Sequence, residues 1–193
     1  MGESAAQATT TDAELLARYA DGDQAAARAL VERHTPRILA RAYRLLGDAA
    51  EAEDVTQEAM LRLWRIAPDW ENRGASPGTW LYRVATNLCL DLLRKRRNTR
   101  VPQDPAQPEE SETVQASLQD TDRSAALKQA IAALPDRQRA AIVLRHLEEL
   151  GNTEIAEQLD TTVEAVESLL ARGRRQLVRD LAPRQEVLGY SNG

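Results

Sequence analysis

Ser168, Arg172 and Arg175 offer what nucleic-acid recognition uses: two guanidiniums for phosphate or guanine, and a hydroxyl for a base edge or a phosphate. They lie in "TEIAEQLDTTVEAVESLLARGRRQL", Thr153 to Leu177, which reads as two short helices joined by the turn "LDTT". On a helical wheel Val166, Leu169, Leu170, Gly173 and Leu177 share one face, expected to pack on Ile155 and Leu159. Glu164, Ser168 and Arg175 centre on the opposite face, flanked by Glu167, Arg172 and Arg174, and the small Ala156 stands where two helices must approach. This is the rhythm of a helix-turn-helix. A solvated bundle helix would show the same charged side, and the two glutamates repel phosphate except where one accepts from cytosine. Thr161 with Glu164 is expected to form the capping box of the second helix.

A second set lies in "GASPGTWLYRVATNLCLDLLRKRR". The spacing predicts a helix from Pro77 to Arg97 with Leu81, Val84, Ala85, Leu88 and Leu92 inward. Arg83, Thr86, Asn87 and Arg94 then face outward, with Trp80 and Asp91 at the margins and Arg94–Arg97 at the end. An exposed Asn among arginines and aromatics suits a surface that holds unstacked bases, since rings stack, amides read edges and arginines take phosphate. The alternative is that Trp80 and Tyr82 are core and the arginines complement a helix C-terminus. In a third stretch, "DAAEAEDVTQEAMLRLWR", Ala52, Val55, Ala59 and Leu63 turn inward. Asp54, Gln57, Glu58, Leu61, Arg62 and Arg65 are left on a mixed outer side. An exposed Leu among carboxylates could dock a protein, although a solvated face is the default.

Helices must carry all three sets. Phe is absent, aromatics are 4% of the chain, and hydrophobic residues are 42%, enough for a core; the fold class expected is all-α. "DAELLARYADG" is a short helix ended by Gly22, and a longer one runs from Gln24 to Leu46, where Pro36 is expected to kink or divide it. Asp48 and Glu51 open the next helix, through about Ile66; Trp70 to Ser76 is a loop. Later helices are expected at 123–134, 136–148, 152–159 and 162–180. Residues 98–122 hold six acids and one base, Arg100, and three Pro; this stretch accounts for the whole net charge of −5 and reads as an acidic, flexible linker. The remainder is neutral overall and locally basic. The expected organisation is two small helical domains, 12–97 and 123–182, the second a helix-turn-helix domain, with a disordered 1–11 and a tail at 183–193.

Several function classes drop out. There is no run of 18 apolar residues to span a membrane and no secretory start, so a cytoplasmic location without membrane insertion is expected. One Cys and two His give neither disulfide nor zinc site, and no cofactor, metal or small-molecule substrate is expected. His34 and His146 fall on separate elements, no nucleophile–base pair or Gly-rich phosphate loop is present, and an enzyme is not expected. Both His read as packing or surface residues, and Cys89 as semi-buried packing at the flank of its helix.

The order of "AEAEDVTQEAMLRLWR", "GASPGTWLYRVATNLCLDLLRKRR" and "ALPDRQRAAIVLRHLEELGNTEIAEQLDTTVEAVESLLARGRRQL" closely resembles the extracytoplasmic-function branch of the bacterial sigma-70 family, over about 12–97 and 123–180. The resemblance implies a dissociable RNA polymerase subunit that directs promoter-specific initiation. It places Asp54, Gln57, Glu58 and Leu61 at the polymerase clamp, and makes Trp80, Tyr82, Arg83, Asn87 and Arg94 the residues that open and capture the −10 element. It gives Ser168, Arg172 and Arg175 to the −35 element, and it implies a flap contact, promoter DNA and an anti-sigma factor as further partners. Glu167 and Leu169 depart from the Lys and Arg that many relatives show. The rival reading is an operator-binding helix-turn-helix regulator that is not a polymerase subunit, which leaves the "DVTQEAMLRLWR" helix without a role.

Overall fold

The computed structural model describes residues 10–70, 75–99 and 118–182. The expected disorder of 1–11 therefore falls, but for two residues, outside the described part, as do most of the acidic stretch and the tail from 183. Within the described residues the chain is helical, without strands: α1 (Asp12–Ala20), α2 (Gln24–Leu46), α3 (Ala49–Ile66), α4 (Pro77–Thr99), α5 (Leu118–Ala133), α6 (Asp136–His146), α7 (Asn152–Gln158) and α8 (Val163–Leu181), with a 3₁₀ turn at Ala67–Asp69. It divides into two compact units, one of residues up to Tyr43 together with Asp48–Ala85, the other of Arg44–Gly47 and the residues from Thr86 onward.

The helix ends follow local chemistry. Thr11 caps α1 by accepting from Glu14 N–H at 3.2 Å, while the Glu14 carboxylate accepts from Thr11 N–H at 2.8 Å. Gly22 and Gly47, at φ +96° and +72°, release the chain from α1 and α2 in the left-handed region that only glycine enters freely. The Asp48 side chain accepts from Glu51 N–H at 2.9 Å and opens α3 as expected. Pro36 does not divide α2, which is continuous across it. Proline removes one bond to the carbonyl four residues back, and here both Pro36 and Glu32 lie exposed, so water satisfies what the helix gives up.

Three further expectations are corrected. The cap of α8 is Thr162, accepting from Ala165 N–H at 3.2 Å, rather than Thr161. α5 begins at Leu118, inside the stretch read as linker. α4 is rotated by about one residue position from the predicted stripe: Leu81 and Ala85 are buried, but so are Thr86, Cys89 and Leu93, while Val84, Leu88 and Leu92 are half-buried. Thr86 is thus inside rather than outside, and Cys89 is fully buried rather than at a flank.

Candidate nucleic-acid interface

In α3 the buried side is built from Ala52, Val55, Ala59 and Leu63, as their spacing required, joined by Thr56 and Met60. Asp54, Gln57, Glu58 and Leu61 recur on the outer side at three- and four-residue intervals. Asp54, Gln57 and Leu61 are exposed, Leu61 by 41%, which makes it an apolar residue set among polar ones. Glu58 is half-buried; the Arg62 guanidinium donates to it at 2.8 Å and, with Arg65 at 3.8 Å, holds its carboxyl below the usual carboxylate range. On the inner flank Trp64 meets Tyr19 of α1 with ring centroids 4.5 Å apart, which ties the first helix to the third.

α4 carries its polar face on the other side from its buried arc. Arg83, Asn87 and Arg94 are exposed and share that face, with Arg94 donating to Asp91 at 2.5 Å. Trp80, half-buried, stands at the start of the same face in an edge contact with Trp70, ring centroids 6.0 Å apart. Arg96 turns back instead and donates to the Leu46 carbonyl at 3.0 Å, so part of the basic cluster serves the end of α2.

Tyr82, half-buried, stands apart from this face, as the core alternative for it expected. Its side chain points into the buried arc, where the hydroxyl lies 3.1 Å from His34 Nδ1 and the guanidiniums of Arg37 and Arg41 lie over the ring at 5.1 and 4.8 Å. Neither arginine was singled out from the sequence. A signal was present: His34 and Arg41 continue the inward series Leu30, Ile38 and Leu45 of α2, and polar residues in such a series need a buried partner. His34 is buried, which agrees with its reading as a packing residue.

The second unit shows the helix-turn-helix. Val166, Leu169, Leu170 and Gly173 are buried on α8, and Ile155, Ala156 and Leu159 beneath them; Leu177 is only half-buried. A Cβ on Gly173 would lie 2.9 Å from Ile142 Cγ1, so the glycine permits the close approach of α6 to α8. Arg137 of α6 donates to the Leu159 carbonyl at 2.9 Å and holds the turn, where Asp160 adopts φ +49°. Ser168, Arg172 and Arg175 are all exposed on the outer side, and an open groove beside α8 is lined by Arg172, Arg174, Arg175 and Arg179 with Gln138 of α6. Glu164 belongs to the start of the helix: its own N–H and the Thr162 hydroxyl hold its carboxyl below the usual range. At the end of α6, burial pushes the His146 imidazole down, with Arg174 and Arg145 adding repulsion.

Comparison with known proteins gives this arrangement a context. Two family models match the chain, "Sigma-70 region 2" over residues 30–99 and "Sigma-70, region 4" over 124–177. The chain is 38% identical to the ECF RNA polymerase sigma factor SigE of Mycolicibacterium smegmatis over 82% of its own length and 63% of that protein's. It is 34% identical to the ECF RNA polymerase sigma factor SigW of Bacillus subtilis, over 83% of this chain and 91% of SigW. Among solved structures, CnrH in complex with the cytosolic domain of CnrY matches with a TM-score of 0.64 at 27% identity, over 89% of this chain and 97% of CnrH.

Proposed function

The chain belongs to the extracytoplasmic-function branch of the sigma-70 family, and we propose that it binds core RNA polymerase and directs initiation at a specific set of promoters. The observation that carries this reading is the sharing of labour among three helices. α3 presents an acidic, partly apolar face, α4 a face of Asn with arginines and an indole, and α8 a Ser–Arg face. An operator-binding regulator needs only the last. On this reading Asp54, Gln57, Glu58 and Leu61 dock on the clamp. Trp80, Arg83, Asn87 and Arg94 open and hold the −10 element, without Tyr82, and Ser168, Arg172 and Arg175 read the −35 element. A sigma factor is a recognition subunit rather than an enzyme.

The acidic stretch gives a reason for the dependence on polymerase. Affinity for duplex DNA scales with the cations presented. Here they are divided between α4 and α8 and opposed by the −5 charge of residues 98–122. Polymerase engages both ends at once and raises their effective concentration at the promoter. No helix among the described residues is long and apolar enough to cross a membrane. Control by an anti-sigma factor is part of the proposal, and CnrH, solved with the cytosolic domain of a second protein, supports it.

The deciding measurement is binding to bacterial core polymerase, wild type beside a Gln57→Ala, Glu58→Ala double variant. Nanomolar binding by the wild type with at least tenfold weaker binding by the variant is expected. A wild type that ignores polymerase but grips duplex DNA alone is an operator-binding regulator.

A further inference from the structure

We infer that His34 and Tyr82 are positioning residues for the strand-opening face of α4, an inference that rests on the sigma reading of that face. Tyr82 immediately precedes Arg83 and lies five residues before Asn87, so whatever fixes Tyr82 fixes the angle at which both are presented. It is fixed at every polar point it has. The hydroxyl lies 3.1 Å from His34 Nδ1, the ring lies under Arg37 and Arg41, and the carbonyl accepts from Arg41 Nη1 at 3.3 Å.

His34 is fixed in turn. It is 5% exposed, and its Nε2 lies 2.9 Å from Asp12 Oδ2, within ion-pair distance though off the line of a good N–H hydrogen bond. A carboxylate can only accept, so in the neutral imidazole the proton belongs on Nε2, and Nδ1 accepts from the Tyr82 hydroxyl. Asp12 is held by Arg33 Nη1 at 2.6 Å, and the same nitrogen donates to the Thr10 carbonyl at 3.0 Å. The first turn of α4 closes over this chain at Gly78, where a Cβ would come within 2.7 Å of Asp12 Oδ2 and 2.9 Å of His34 Cε1. A chain of polar contacts thus runs from α1 through α2 to α4, hydrogen-bonded at Arg33–Asp12 and at His34–Tyr82. Aliphatic packing sets the distance between helices, whereas hydrogen bonds also set rotation, and reading an unstacked base tolerates only about 10–20° of error.

The test uses holoenzyme and a promoter recovered by selecting genomic fragments that the wild type transcribes. Open-complex formation is measured on the intact duplex and on the same promoter already unpaired across the −10 element. Tyr82→Phe keeps the ring and loses only the hydroxyl. It is expected to lower opening of the duplex at least fivefold, to leave the unpaired template within twofold of wild type, and to bind core polymerase normally. His34→Leu should match it, and the double variant should be no worse than either single one, because both remove the same link. His34→Asn places an amide near Nδ1 and should keep at least half of wild-type opening. Tyr82→Phe that opens duplex like wild type overturns the inference, with a further loss in Tyr82→Leu pointing to base stacking instead. Equal losses on both templates, or a parallel loss of core binding, overturn it in favour of a general structural role. A wild-type chain that fails to bind polymerase is a failure of the sigma reading beneath it, seen before any variant is made.

Discussion

α4 and α8 are the two long helices assigned to DNA, of 23 and 19 residues, and they are seated on different material. α8 rests on Val166, Leu169, Leu170 and Gly173, all aliphatic or bare, against Ile142, Ile155 and Leu159. α4 buries Leu81, Ala85 and Leu93 but also Thr86 and Cys89, with Tyr82 turned toward His34 and Arg41. The helix proposed to read an intact duplex is held by shape. The helix proposed to pull a duplex apart is held by hydrogen bonds and stacked cations. Major-groove reading tolerates small adjustments of a helix along the groove, while strand opening needs a rigid edge against which stacking energy can be spent.

If α8 is held by close-fitted shape, enlarging its one bare position should be the most damaging change. Gly173→Leu is expected to cost about 2 kcal/mol, by denaturant unfolding, and to abolish −35 recognition, because Ile142 cannot withdraw far enough. Should the variant lose less than half of that, α8 is not held by fit. Next comes Asn87→Ala on α4, which removes an exposed amide. Duplex opening should fall about tenfold while stability stays within about 0.5 kcal/mol; a comparable loss of stability would show that Asn87 serves the fold. Asp160→Gly relieves the left-handed turn before α8 and should raise stability by about 0.5–1 kcal/mol, with opening of the −10 element untouched.

The smallest expected effect is on pH dependence. His146 has its imidazole pushed down in the folded chain, so over the ordinary His range the unfolded chain takes up the proton first. Its contribution is therefore complete at pH above that range and is lost as pH falls through it. Melting midpoints compared between pH 7.5 and pH 5.5 should decline slightly more for wild type than for His146→Gln; equal slopes would remove Arg174 and Arg145 as its effective neighbours.

The same contrast explains which parts could be read from the residues. The inward faces of α3 and α8 are aliphatic, and apolar spacing alone located Ala52, Val55, Ala59 and Leu63, and Val166, Leu169 and Leu170. On α4 that rule pulled the stripe toward Leu88 and Leu92, because it gives no weight to a buried Thr, Cys or Tyr. For Tyr82 the deciding partners, His34 and Arg41 of α2, lie more than forty residues away in the chain, and a local pattern does not contain them. For the same reason the pattern left Tyr82 open between a core ring and a base-capturing one. Thr161 and Thr162 are equivalent as caps by type, and the left-handed Asp160 chose between them. Pro36 was expected to kink or divide α2, and the solvent exposure that lets the helix run on across it is a tertiary property.

The chain's single thiol, Cys89, is wholly buried on the inner side of α4. A water-soluble alkylating reagent can reach Cys89 only when that helix lifts from its seat, so the labelling rate of the unmodified protein is a clock for that motion. No probe has to be introduced: slowing of the clock by core polymerase, or its quickening in Tyr82→Phe, would report directly how firmly the strand-opening helix is clamped.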